Sequence, residues 1–179
     1  MISKEMIEDL KKRVDKEALV SNMSVSELIY DIRTKHHKKE LELMDFIIED
    51  IKNYEKRNPQ LDDKISETFG EFKRMTFELK RHFEKEEFEV FPMMIMSNVD
   101  NKELLLKISD LENEHGKAEE RIVKMTKLSD NFSYKKEDDN LSFIYRKMQE
   151  LFADISEHES KENGVLFPRF ERSVSNPLL

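Results

Sequence analysis

From Ile65 the chain steps through Phe69, Phe72, Met75 and Leu79, reaches His82 and Glu86, and goes on to Val90 and Met93. Apolar residues at three- and four-residue intervals share one face of an α-helix. This stretch is therefore a long helix with one buried side, and that side carries a histidine and a glutamate in its middle. A second stretch repeats the layout: Leu141, Ile144, Met148, Leu151 and Ile155, then His158 and Glu162, then Val165 and Arg169. Both contain H-x3-E-x4-F-P, as "HFEKEEFEVFP" from residue 82 and "HESKENGVLFP" from residue 158.

Two more segments have the same periodicity. One runs Leu104, Ile108, Leu111, His115, Ala118, Ile122 and Met125; the other carries Leu28, Ile32, Leu41, Met44, Ile47, Ile48 and Ile51. Turn-type residues punctuate the chain at 22–24, 57–63, 97–101 and 129–140, leaving helical segments at 24–56, 62–96, 101–128 and 137–172. Asp62 and Asn101 are the expected N-caps of the second and third. Short connections between long helices favour antiparallel neighbours. The expected fold is all-α: an up-down-up-down antiparallel four-helix bundle over residues 24–172. Residues 1–23 form a leader with a short extra N-terminal helix built on Ile2, Met6, Leu10 and Val14, and 173–179 form a tail.

With 3 Gly and 4 Pro against 39% charged residues, the composition suits long helices with wet outer faces. The net charge of −8 is spread without a basic block, which argues against nucleic acid as a partner. No segment has the run of apolar residues that a membrane span needs, and the start lacks a signal peptide, so a cytoplasmic protein is expected. There is no cysteine, so any metal must be held by His, Asp or Glu.

The histidines fall at one depth. His37 and His115 lie as far after the starts of their segments as His82 and His158 lie before the ends of theirs. In an up-down bundle that puts all four in one layer, about 20 Å from one end. Periodicity leaves His36 and His37 open, and alignment of the first segment with the third selects His37. Glu86 and Glu162 stand one helical turn beyond His82 and His158 on the same face. Two carboxylates in a dry core need a positive partner, and no Lys or Arg falls on the stripes at that level. Four imidazoles and two carboxylates suit iron, manganese or zinc, with each carboxylate able to bridge two ions. The Phe-Pro pairs at 91–92 and 167–168 read as an aromatic plug and a proline that bends or ends the helix. Met93, Met94 and Met96 read as core filler.

The stretches "HFEKEEFEVFPMM", "LENEHGKAEE" and "HESKENGVLFPRF" resemble the hemerythrin-like HHE domain, and more closely its branch of repair-of-iron-centres (RIC) di-iron proteins. "LIYDIRTKHH" resembles the opening of that branch's first bundle helix, where the second of the paired positions is the ligand. The resemblance covers residues 25 to 172. It implies a dinuclear non-haem Fe–O–Fe centre with two irons per chain. His37, His82, His115 and His158 match terminal ligands, and Glu86 and Glu162 match the bridges. The family's first-helix motif usually ends in a further histidine about twenty residues on. That region here reads "NYEKRNPQL", with Tyr54 or Asn58 near the place, leaving the position to water, His36 or a nearby Glu. Many relatives also carry a cysteine-bearing amino-terminal domain, where this sequence has the leader of residues 1–20.

The resemblance implies repair of iron–sulfur clusters damaged by nitric oxide or peroxide, in a stress response, with damaged iron–sulfur proteins as partners and the chain a monomer or homodimer. Two other readings stay open. One is a module that binds or senses O2 or NO at an open iron position, although only His115 comes from the third helix, where oxygen carriers of this fold use a closely spaced pair. The other is a di-iron peroxide or nitric oxide reductase with Tyr145 relaying electrons. No residue is assigned a catalytic role.

Overall fold

The computed structural model describes residues 19–96 and 99–175, with side chains to residue 171. The expected N-terminal helix on Ile2, Met6, Leu10 and Val14 lies outside the described residues, as does the end of the tail. Helices α1 (Val25–Asp31) and α2 (Lys38–Arg57) make the first rod, and α3 (Asp63–Lys85) and α4 (Phe91–Ile95) the second. Helix α5 (Asn101–Leu128) is the third rod; α6 (Asp139–Lys161) and α7 (Phe167–Ser175) make the fourth. There is no strand among the described residues.

Pairings between rods establish the topology. Arg169 reaches the Met23 carbonyl, Lys39 reaches Asp154 and Tyr54 reaches Asp138, so the first and fourth rods are antiparallel. Lys107 pairs with Glu89, Arg121 with Glu78 and Lys64 with Asp130, which makes the second and third antiparallel as well. Lys73 on Glu55 and Lys80 on Asp45 do the same for the first and second. The fold is the expected up-down-up-down bundle. Asp62 caps α3 through the Lys64 amide, as expected. The cap of α5 is Asp100, one residue before the expected Asn101, because a carboxylate there accepts from the Lys102 and Glu103 amides.

A polar layer divides the core in two. On one side Met44, Ile51, Phe69, Phe72, Met75, Met148 and Leu151 pack together; on the other Leu28, Ile32, Val90, Phe91, Leu111, Leu166 and Phe167 do. Each such fully buried side chain contributes about 1.5–3 kcal/mol.

Three rods pass through this layer with a widened turn. The segments Ile32–His37, Glu86–Val90 and Glu162–Leu166 are π-helical. The Lys38, Phe91 and Phe167 amides donate to the carbonyls five residues back, at Arg33, Glu86 and Glu162. Each wide turn takes up one extra residue, so the buried stripe beyond it shifts by one. The stripe expected at Met93 runs through Phe91 and Met94 instead, and that expected at Val165 and Arg169 runs through Leu166 and Phe167. Arg169 holds the backbone carbonyls of Met23 and Ser21. Of the three methionines expected in the core only Met94 is buried, and Met96 is 67% exposed. Pro92 and Pro168 do not end their rods. Each follows a wide turn as an early residue of the next helix, where its missing N–H matters least.

Candidate metal centre

The wide turns sit where the polar residues meet. His37 closes the first, Glu86 opens the second and Glu162 opens the third. Single π turns in α-helices are frequent at functional sites, because they re-aim one side chain without breaking the rod. All six residues singled out in the sequence come together at this level. Donor atoms of His37, Glu86, His158 and Glu162 lie within 4.8 Å of one another, as do those of His82, Glu86, His115 and Glu162. The two quartets share both glutamates, and all six side chains are buried, Glu86 and Glu162 completely.

Hydrogen bonds fix how the rings are turned. The Nδ1 of His37 lies 2.8 Å from Glu87 Oε1, that of His82 2.9 Å from Glu114 Oε2, and that of His158 3.2 Å from Glu40 Oε2. His115 Nδ1 lies 3.0 Å from Asn163 Oδ1. A ring whose Nδ1–H donates outward turns an Nε2 lone pair inward. His37 and His158 then face each other across 3.1 Å, and His82 and His115 across 2.9 Å. Into each gap project carboxylate oxygens, 3.1–3.3 Å from the ring nitrogens, and apart from those nitrogens none of the four Glu86 and Glu162 oxygens has a hydrogen-bond partner. Each gap is thus lined by acceptors alone. Buried acceptors with no donor among them are held together by a cation. The residues present fit a pair of metal ions.

Protons take that place in the metal-free chain. Burial works against a charged His82, yet the Glu86 charge and the hydrogen bonds to Glu114 and Glu86 outweigh it and raise its pKa to about 10. His158 is raised well above the usual histidine value, against its burial, by the Glu162 charge and by hydrogen bonds to Glu162 and Glu40. Burial would raise Glu162 and Glu86, but the imidazolium neighbours hold both below the usual carboxylate range. Glu114 is lowered to about 2 by the His82 hydrogen bond, against its partial burial and with Lys85 beside it.

Sequence reasoning missed four carboxylates and amides behind the imidazoles: Glu40, Glu87, Glu114 and Asn163. A signal existed, since Glu40 lies one turn after His37 and the other three are chain neighbours of His115, Glu86 and Glu162. It also missed Lys161, which is buried at this level and donates to Asp31 Oδ2 at 2.6 Å. That corrects the expectation that no cation falls here, although Lys161 serves Asp31 and not the two shared glutamates. Tyr54 and Asn58 are no part of the layer. They lie 17 and 21 residues beyond His37, roughly 25–30 Å along the rod, where Tyr54 donates to Asp138 and Asn58 caps α2. Each quartet is assembled without either of them. His36 is buried beside the quartets but turned to Asp154 and Lys161.

A four-helix bundle with buried, paired His/Glu quartets on facing rods is a metal-binding bundle. The family model of the hemerythrin HHE cation binding domain matches residues 28–174, and the chain belongs to that family. It is 30% identical over 149 residues to the iron-sulfur cluster repair protein YtfE of Escherichia coli, covering 81% of this chain and 66% of that one. The protein of that name from an Enterobacter species is 30% identical over 151 residues, with 82% and 66% covered. A Haemophilus influenzae protein named a probable iron-sulfur cluster repair protein is 25% identical over 157 residues, 83% of this chain and 66% of its own length. The chain thus spans just under two thirds of these relatives. Among the described residues no helix is long and apolar enough to cross a membrane.

Proposed function

We propose that this chain is a non-haem di-iron protein that repairs iron–sulfur clusters damaged by nitrosative or oxidative stress, by giving up iron to the damaged cluster. The observation that carries the reading is the pair of acceptor-lined quartets sharing Glu86 and Glu162. In it His37 and His158 hold one iron, His82 and His115 hold the other, and the two glutamates reach both. The names borne by the relatives support the same activity.

The donor set suits release. Ferrous iron stands low in the affinity order of first-row divalent ions, so a site of imidazoles and carboxylates without thiolate holds it less tightly than copper or zinc. When bound, the irons supply a ferrous–ferric couple and positions where nitric oxide or dioxygen can bind. The residues around them fix the ring tautomers through Glu40, Glu87, Glu114 and Asn163, and the Phe83, Phe91 and Phe167 rings stacked on His37 and His115 keep water out. The recipients are damaged iron–sulfur proteins, in the cytoplasm, where such clusters meet nitric oxide.

The test is transfer. Protein purified without oxygen should contain two irons per chain and restore a [4Fe–4S] dehydratase inactivated by nitric oxide, losing iron as the dehydratase recovers. A chain that keeps its iron while the dehydratase stays inactive, yet forms a stable adduct with oxygen or nitric oxide, is a gas-binding module instead.

A further inference from the structure

We propose that His36, Glu40 and Asp154 form a third cation site, a station through which a divalent metal passes on its way to or from the buried pair. As a station the proposal rests on the di-iron reading; as a cation site it stands on its own geometry.

Ligand atoms of the three side chains lie within 4.8 Å of one another. His36 Nδ1 is 3.0 Å from Asp154 Oδ2, and the Glu40 carboxylate lies beside both. Glu40 is fully buried. Its Oε2 takes the His158 Nδ1–H at 3.2 Å, and its Oε1 has no hydrogen-bond partner at all. Two carboxylates facing each other beside a ring nitrogen need a positive charge between them, and a buried oxygen left without a donor marks where it is short. One imidazole and two carboxylates suit the same hard or borderline ions as the buried pair. With three protein ligands against four at each buried position, the station leaves more places to water and holds its ion more loosely.

Its position fits a route. The His36 ring stacks on that of His158, centroids 5.7 Å apart and planes 16° from parallel, so the station is one imidazole away from the pair. On its other side Asp154 is partly exposed and holds Lys39, a surface side chain, at 2.7 Å. Glu40 belongs to both places. A cation on Glu40 draws charge from the carboxylate that supports His158, and so loosens the neighbouring metal while it waits.

The lysines already present can make room. Lys161 Nζ lies 2.7 Å from His36 Nε2 and 2.6 Å from Asp31. When the cation takes Nδ1, the ring proton moves to Nε2, and Lys161 withdraws from that nitrogen while keeping Asp31.

Anaerobic equilibrium dialysis against ferrous iron tests this on the full chain, with His36→Gln and Asp154→Asn beside the wild type. The wild type is expected to take up two tight equivalents and a third, weaker one, and each variant to lose only the third. Release of the tight iron to a ferrous chelator should slow several-fold in both variants. If one variant fails to fold, as judged by metal-free melting, the other gives the same reading. A wild type that saturates at two, or variants that keep the third equivalent, overturns the station. If the pair were misread instead, the two tight equivalents would be missing while the one removed by His36→Gln remained.

Discussion

The two quartets share their glutamates but differ in what stands behind their histidines. Behind His37 and His158 are two carboxylates, Glu87 and Glu40, the second completely buried. Behind His82 and His115 are one carboxylate, Glu114, and one neutral amide, Asn163, which is exposed. Glu114 is held by Lys85 at the edge of a cavity of about 300 Å³ that reaches His82 between α3 and α5. An imidazole that donates to a carboxylate is a stronger metal ligand than one that donates to an amide. The difference teaches that a symmetric set of ligands can carry an unequal pair: if both positions are filled, the His37/His158 position should retain its metal and the His82/His115 position should exchange first.

Glu86→Gln or Glu162→Gln should erase the distinction. Each glutamate serves both positions, so both metals should be lost together, with a fall in affinity beyond the ~100-fold that marks the upper end for residues behind the ligands. Metal content after dialysis reads this out. A variant that keeps one full equivalent would show that the glutamates do not bridge.

The same substitution on either side should then separate the halves. Glu87→Gln weakens the position held by His37, and Glu114→Gln that held by His82, each by about 10–100-fold. In Glu114→Gln the slowly released metal should stay slow, whereas in Glu87→Gln both should come off at similar rates. A smaller change in the opposite direction is sharper. Asn163→Asp gives His115 the carboxylate that its counterparts have, and should slow release of the faster metal by about tenfold. Biphasic loss to a chelator measures all three, and an Asn163→Asp chain with unchanged phases would place the asymmetry elsewhere.

This inequality was not legible in the sequence, although the layer itself was. His82, Glu86, His158 and Glu162 announce themselves because they interrupt long apolar stripes, and depth along the rods brings His37 and His115 to the same level. What the stripes cannot carry is the wide turn. Periodicity assumes a constant 100° per residue, so it does not register the π turns, and beyond the second and third of them the stripe reads one position early, Met93 for Met94 and Val165 for Leu166, whereas Met44, Ile47 and Ile51 beyond the first are buried as expected. His36 and His37 were ambiguous for the same reason, since a wide turn lets two consecutive histidines both face inward. Residues behind the ligands lie on the flanks of the stripe, where polar side chains are the norm. Glu114 therefore looked like any other surface glutamate. The family pattern places a fifth histidine near Tyr54, a position that the structure puts beside Asp138 and away from both quartets.

The smallest expected effect concerns the metal-free chain, where protons stand in for metal. His82, raised to about 10, and His158 are above the unfolded histidine value of about 6.5. Their contribution to stability is therefore fully present below about pH 6.5 and is lost as pH rises through their folded values. Glu86 and Glu162 are lowered, so their contribution is present above about pH 4.5 and is lost as pH falls. The metal-free chain should melt highest between these limits, and its melting temperature should decline by a few degrees toward pH 9, each kcal/mol being worth about 2–4 °C in a chain of this size. The loaded chain should not follow, because a metal needs the inward nitrogens free of protons and gains on them as pH rises. Glu114→Gln removes one of the groups that raise His82 and should bring the decline to lower pH, as Glu40→Gln should for His158. If neither substitution moves the decline, the imidazoles are not what titrates, and the pairing of each histidine with the group behind it loses its physical basis.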